Sequence, residues 1–238
     1  MNFSGLGFTD AQLSNLASLG YEEMTAIQAM VLPLVLNGKD VIAQAKTGSG
    51  KTAAFALPLL AKLNPRHFGA QAMVLCPTRE LATQVATEIR RLARHQQNIK
   101  VVILCGGQSI GPQIGSLEHG AHIIVGTPGR IKDHLRKKTL NLDQINTLVL
   151  DEGDRMLDMG FFDDMETIIK ETPKSRQTLL FSATYPEDIE TLSARFQKKP
   201  EIVSAPSLHE QSEIEQLFYL TTRSSKLESL QIILGHYQ

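Results

Sequence analysis

Tryptophan is absent from the 238 residues, aromatic side chains make up only 5%, and there are two cysteines, Cys76 and Cys105. Two thiols, each closing an apolar run, are too few for a disulfide framework and fit a reducing, cytoplasmic setting. So few rings argue against a broad platform for stacking bases. No basic stretch followed by an apolar core opens the chain, and the longest apolar run, Ile27–Leu36, is too short for a membrane span and contains Pro33. No membrane partner is expected. The formal net charge is −1, so bulk positive charge cannot hold a nucleic acid here. Any such contact must be local, through backbone amides, helix N-termini and a few arginines.

What the chain does have is alternation. Runs rich in Val, Ile and Leu at Asp40–Ala45, Ala72–Cys76, Val101–Cys105, His122–Gly126, Thr147–Glu152, Gln177–Ser182 and Glu201–Ser204 each read as a fully buried strand. Amphipathic stretches lie between them, such as Arg79–Arg94, where Leu81, Val85, Ile89 and Leu92 mark one buried face. The pattern predicts an α/β fold, a mostly parallel sheet with helices on both faces. Two helices, capped by Thr9 and Thr25, precede the first strand as an annex over residues 1–39. Residues 40–206 form the main domain. Beyond a polar stretch, Ile214–Leu220 reads as a strand and Lys226–Gly235 as a helix, an unfinished βα unit within 207–238.

Between the first strand and the next helix stands Ala45-Lys46-Thr47-Gly48-Ser49-Gly50-Lys51-Thr52. Its glycines let the backbone fold around phosphates with amides pointing inward, and the helix N-terminus adds a favourable dipole. Lys51 is placed to reach β- and γ-phosphates and the Thr52 hydroxyl to ligate Mg²⁺. The usual pattern has Gly where this chain has Ala45, but the strand–loop–helix setting supports the reading. Asp151 and Glu152 follow Leu148-Val149-Leu150, at the strand end where open α/β sheets put their ligands. Alone, such a pair is more often a solvated loop. With Lys51 and Thr52 in the same sheet, Asp151 is expected to hold Mg²⁺ through water and Glu152 to orient or deprotonate the water that attacks a γ-phosphate.

Several further segments fall in order along the chain: Gly20-Tyr21 through Thr25 and Gln28, Pro77-Thr78-Arg79-Glu80-Leu81-Ala82, Gly106-Gly107, Thr127-Pro128-Gly129-Arg130, Asp151-Glu152-Gly153-Asp154 and Ser182-Ala183-Thr184. Together with the phosphate loop they resemble the DEAD-box ATP-dependent RNA helicases over essentially all of residues 1–206. That resemblance implies a RecA-like P-loop NTPase domain. It also implies ATP and Mg²⁺ as cofactors and RNA as a partner gripped by its backbone with little base preference. Gln28 would read the adenine edge, with Tyr21 stacking nearby and Thr25 supporting the loop. Phe3 fits an upstream aromatic of the same motif and equally a core residue beneath the annex.

Pro77-Thr78-Arg79 and Thr127-Pro128-Gly129-Arg130 each follow a strand and open a helix, so each can offer amides, a hydroxyl and a guanidinium to an RNA phosphate. Gly106-Gly107 would let the RNA backbone approach. Without the resemblance these are ordinary turn residues. Ser182, Ala183 and Thr184 resemble the family's coupling motif, whose hydroxyls bond the last aspartate of the acidic motif, here Asp154. Stretches such as Gln44–Phe55 and Asp154–Phe161 are most similar to the bacterial DbpA-like branch, which acts on large-subunit ribosomal RNA.

Two departures stand out. Gly153 occupies a place where the family has Ala, which would loosen the backbone between Glu152 and Asp154. Met24 and Ala26 stand where many members have prolines. The resemblance further implies a second RecA-like domain that this chain only begins, so a monomeric fragment, nearly inactive alone, is expected. Two other readings remain open, an ATP-gated clamp with negligible turnover and a related DNA translocase.

Overall fold

The computed structural model describes residues 2–185, 187–205 and 217–237, and the chain divides into two units, Met1–Pro206 and Ser207–Gln238. In the first unit the seven strands are β1 (Val41–Gln44), β2 (Ala72–Leu75), β3 (Val101–Leu104), β4 (Ile123–Gly126), β5 (Thr147–Leu150), β6 (Gln177–Ser182) and β7 (Glu201–Ser204). Every pairing is parallel, in the order β3-β4-β2-β5-β6-β1-β7. Helices α1 (Asp10–Ser18), α2 (Ala26–Leu36), α3 (Lys51–Lys62), α4 (Arg79–Leu92), α5 (Gly111–Glu118), α6 (Pro128–Arg136), α7 (Gly153–Asp158), α8 (Phe162–Lys170) and α9 (Glu187–Phe196) connect and cover them.

Side chains alternate across a strand, so strands buried on both sides feed two cores. Val41, Ala43, Val74, Val149, Leu179 and Phe181 join α2, α3 and α4 on one face. Ile42, Met73, Leu75, Leu148, Leu150 and Leu180 join Ile131, Met156, Ile168 and Ile189 on the other. Phe55 and Phe181 meet edge to face, with centroids 5.2 Å apart.

Thr9 and Thr25 cap α1 and α2 as expected from the sequence, accepting from the backbone N–H of Gln12 and Gln28. Phe3 is buried in the annex core with its ring edge-on to Tyr21 at 6.3 Å. One strand departs from expectation. Glu201–Ser204 is not buried: it lies at the sheet edge with a single neighbour, β1, and Ile202 is 64% exposed. An apolar run of four cannot by itself separate a central strand from an edge one.

In the second unit α10 spans Lys226–His236. Of the strand expected at Ile214–Leu220, residues 214–216 lie outside the described residues and Leu217–Leu220 form none. A strand needs a partner for its backbone groups, and the described residues of this unit supply no second strand.

Candidate nucleotide and nucleic-acid site

In a parallel sheet all C-terminal strand ends face one edge, where ligands of open α/β folds bind. The strand order therefore sorts the motifs in space. The loops after β3, β4 and β2 carry Gly106-Gly107, Thr127–Arg130 and Pro77–Arg79. Those after β5, β6 and β1 carry Asp151–Asp154, Ser182–Thr184 and the phosphate loop. Residues remote in sequence thus form two contiguous halves of one edge, with β2 and β5 at the seam.

In the half formed by the loops after β5, β6 and β1, the phosphate loop closes against α2. Gly50 has φ +93°, and a Cβ there would stand 2.5 Å from Gln28 Nε2 and 3.0 Å from Thr25 Oγ1. Only glycine meets both demands. Gln28 is 1% exposed. Its Oε1 accepts from the Thr25 N–H at 3.0 Å, completing a capping box, and its Nε2 donates to the Gly50 carbonyl at 3.1 Å. One amide hydrogen and one lone pair of Gln28 remain for a ligand. Tyr21 donates its hydroxyl to Glu88 Oε1 at 2.8 Å, and burial with that carboxylate beside it pushes the phenol pKa far up.

Two polar groups in the loop are buried without a partner, Lys51 Nζ and Ser49 Oγ. An orphaned ammonium at a helix N-terminus is the arrangement a polyphosphate completes. Facing it, Asp151 is 3% exposed. Burial lifts its carboxyl to a pKa of about 6, opposed by Lys51 and reinforced by Glu152. Among the described residues no three His, Cys, Asp or Glu side chains gather into a metal site. A divalent ion held by Thr52 and Asp151 would then take its remaining oxygens from phosphate and water, as Mg²⁺ does.

Glu152 holds a left-handed backbone, uncommon outside glycine, at φ 53°, ψ 54°. Its carboxylate accepts from Thr47 Oγ1 at 3.4 Å and from Arg155 Nη1 at 3.2 Å. Asp154 is bound more fully: Oδ2 accepts from the N–H of Ala183 and Thr184 and from Thr184 Oγ1, at 3.2, 2.9 and 2.8 Å. The Asp154 N–H donates to Ser182 Oγ at 3.3 Å. Partial burial works against the charge of Asp154, but these hydrogen bonds outweigh it and hold the pKa below the usual range. The loop after β6 is in this way tied to the loop after β5.

The second half is a groove of about 1190 Å³ whose walls include Gly106, Gly107, Thr127, Gly129 and Arg130. Arg79 lies over Gly107, where φ is +77° and a Cβ would fall 1.8 Å from Arg79 Nη1, so any other residue would be strained and would displace the guanidinium. Arg130 donates Nη2 to the Gln108 carbonyl at 2.8 Å and keeps a buried, unpartnered Nη1. The Thr78 hydroxyl caps α4 by accepting from the Leu81 N–H at 3.2 Å, whereas the Thr127 hydroxyl makes no cap. Pro77 and Pro128 are buried and shape the turns.

Sequence reasoning missed Arg155, Gln113 and His134. Arg155 follows Glu152 at the i,i+3 helical spacing and was legible in principle. The other two depend on contacts between elements. The Thr25-Ala26-Ile27-Gln28 capping box was also written in the sequence, but the resemblance drew Gln28 toward adenine instead.

A carboxyl whose pKa is raised from 3.8 to about 6 on folding favours the folded state while protonated, and that contribution is lost as pH rises through about 6. The ligand-free wild type should therefore lose about 2 kcal/mol relative to Asp151→Asn between pH 4 and pH 7. Urea titrations of both proteins check this; parallel pH profiles would refute it. Gly153 begins α7, is buried, and its missing Cβ would meet the Ile189 Cδ1 at 3.1 Å. That methyl is the far end of a flexible chain, so Gly153→Ala should fold and gain about 0.5–1 kcal/mol from helix propensity, read as a higher denaturant midpoint.

Fold and edge together define a RecA-like P-loop NTPase domain. The family model for DEAD/DEAH box helicases matches residues 25–192, and the chain belongs to that family. It is 56% identical over 228 residues, 96% of this chain and 50% of the relative, to "ATP-dependent RNA helicase DbpA" of Escherichia coli K12. It is 46% identical to "DEAD-box ATP-dependent RNA helicase CshA" of Bacillus cereus, over 94% of this chain and 42% of the relative. A crystal structure of a DEAD box protein from Methanococcus jannaschii superposes with a TM-score of 0.83 at 42% identity, covering 98% of this chain and 63% of that one. The chain thus spans about half the length of the curated relatives it matches. No helix among the described residues is long and apolar enough to cross a membrane.

Proposed function

We propose that this chain is the ATP- and RNA-binding core domain of an ATP-dependent RNA helicase that remodels or unwinds short duplexes together with a second RecA-like domain. The observation that supports it best is the division of one sheet edge into a half with an orphaned Lys51 ammonium and a half where Arg79 lies over Gly107 and Arg130 on the Gln108 carbonyl. In this reading the phosphate-loop amides and Lys51 hold the β- and γ-phosphates, Gln28 and Tyr21 border the adenine, and Thr52 and Asp151 hold Mg²⁺. When bound, the ion neutralises phosphate charge. Glu152 orients the attacking water and takes its proton, and catalysis is mainly positioning and electrostatics.

Arg79, Thr127, Arg130 and the amides around Gly107 and Gly129 take RNA phosphates, so base preference from this domain is small. Asp154, through Ser182 and Thr184, passes the state of the nucleotide half to the rest of the edge. Ribosomal RNA as the target, a monomeric state and a cytoplasmic location belong to the same proposal.

The test is steady-state ATP hydrolysis by the full-length protein with single-stranded RNA, duplex RNA or DNA of equal length. Stimulation by RNA and not DNA is expected. Stimulation by DNA would make it a translocase, and tight ATP-dependent RNA binding without turnover would make it a clamp.

A further inference from the structure

Beneath the groove runs a buried polar chain that none of the motifs contains. His134 on α6 is 0% exposed and Gln113 on α5 is 9% exposed. Gln113 Nε2 donates to the Cys105 carbonyl at 2.9 Å. Its Oε1 can only accept, so the His134 Nε2 at 3.1 Å must carry a hydrogen. His134 Nδ1 then accepts from the Thr139 hydroxyl at 2.8 Å. Burial, with Arg130 nearby, lowers the imidazole pKa against the pull of Asp133, which suits the neutral ring this order of donors needs.

The chain ends where the groove begins. Cys105 precedes Gly106-Gly107, and Arg130, one turn before His134 on the same side of α6, donates to the Gln108 carbonyl at 2.8 Å. Helix α6 therefore holds this loop at two points, directly at Gln108 and through Gln113 at Cys105. Gly106 and Gly107 lie between, with no side chains to fix them. The Thr127 N–H adds a third tie, to the Leu104 carbonyl at 3.1 Å. An apolar pair would fill the same space without burying polar atoms; what the polar pair adds is direction, a defined distance between a helix and a loop.

We propose that the buried His134–Gln113 pair is a positioning device for the nucleic-acid half of the edge, setting Gly106-Gly107 at a fixed distance from the amides that open α6 so that both meet phosphates of one strand. The inference rests on the RNA-backbone reading above and adds to it two residues that touch no RNA.

The test uses the ¹⁵N-labelled 238-residue chain, with oligouridylate followed at the Gly107 and Arg130 amides and ADP followed at Gly50. His134→Leu and Gln113→Leu should each weaken oligouridylate about tenfold, the loss of one buried hydrogen-bonded tether, and leave ADP unchanged. His134→Gln, whose side-chain amide can donate to Gln113 Oε1, should recover most of the affinity. Each single leucine variant leaves a buried partner unpaired, so His134→Leu/Gln113→Leu, which removes both, should be more stable than either and still bind RNA poorly. Binding of oligouridylate by the double variant within about twofold of wild type would overturn the proposal, as would parallel loss of oligouridylate and ADP affinity, the mark of general damage. If the wild type shows ADP shifts at Gly50 but no RNA shifts at Gly107 and Arg130, the RNA-backbone reading itself fails and this inference with it.

Discussion

Glu152→Gln in the full-length protein is expected to keep nucleotide and RNA binding and to lower RNA-stimulated ATP turnover by about two to four orders of magnitude, the range for removal of a general base. The geometry makes the substitution clean. Glu152 leads into α7 from a left-handed backbone at φ 53°, a conformation costing a non-glycine residue about 1–3 kcal/mol, and such strain persists where a side chain must point one way. Its carboxylate rests between Thr47 and Arg155. Glutamine has the same length, and its Oε1 can still accept from Arg155 while its Nε2 donates to the Thr47 hydroxyl, so the loop should stay in place while basicity is lost. Arg155 is 59% exposed, so the ion pair adds little stability, and the melting temperature should hardly move. Turnover within about threefold of wild type would take the general-base role away from Glu152. Loss of nucleotide binding along with turnover would show that the side chain shapes the loop instead.

How much of this was legible in the sequence depends on the range of each interaction. Central strands such as Ala72–Leu75 and Thr147–Leu150 are buried on both faces, so their composition alone marks them. Thr9 and Thr25 announce helix starts because capping is local. Glu201–Ser204 was misjudged because Ile202 and Val203 look the same to composition whether one neighbour strand is present or two. The motifs were visible because each occupies the few residues after a single strand, and resemblance supplied their roles.

Strand order was not legible, and it is strand order that sets Ser182–Thr184 between the phosphate loop and Asp151 and gives Asp154 its hydrogen bonds across 30 residues or fewer. The same holds for His134 and Gln113. A histidine and a glutamine 21 positions apart carry no local signal that they share a proton.

Lys51→Met should separate stability from function most sharply. Lys51 is 6% exposed, and its Nζ is buried with no hydrogen-bond partner. A buried donor left unpaired costs about 1–3 kcal/mol, more for a charged group. The ammonium does stabilise the Asp151 carboxylate, but Asp151 can answer its loss by protonating, since burial has already raised its pKa to about 6. Methionine keeps the unbranched stem that fills the space between α3 and the sheet. The ligand-free variant is therefore expected to be as stable as the wild type or more so, by about 1 kcal/mol. Affinity for ATP should nonetheless fall about a hundredfold or more, because the charge-assisted bonds to β- and γ-phosphates are gone. Denaturant titration and fluorescence titration with a labelled ATP analogue read the two quantities on the same sample. A variant that is clearly less stable would mean that Lys51 has a structural partner in the ligand-free chain. One that binds ATP normally would move the phosphate contact from Lys51 to the loop amides and the N-terminus of α3.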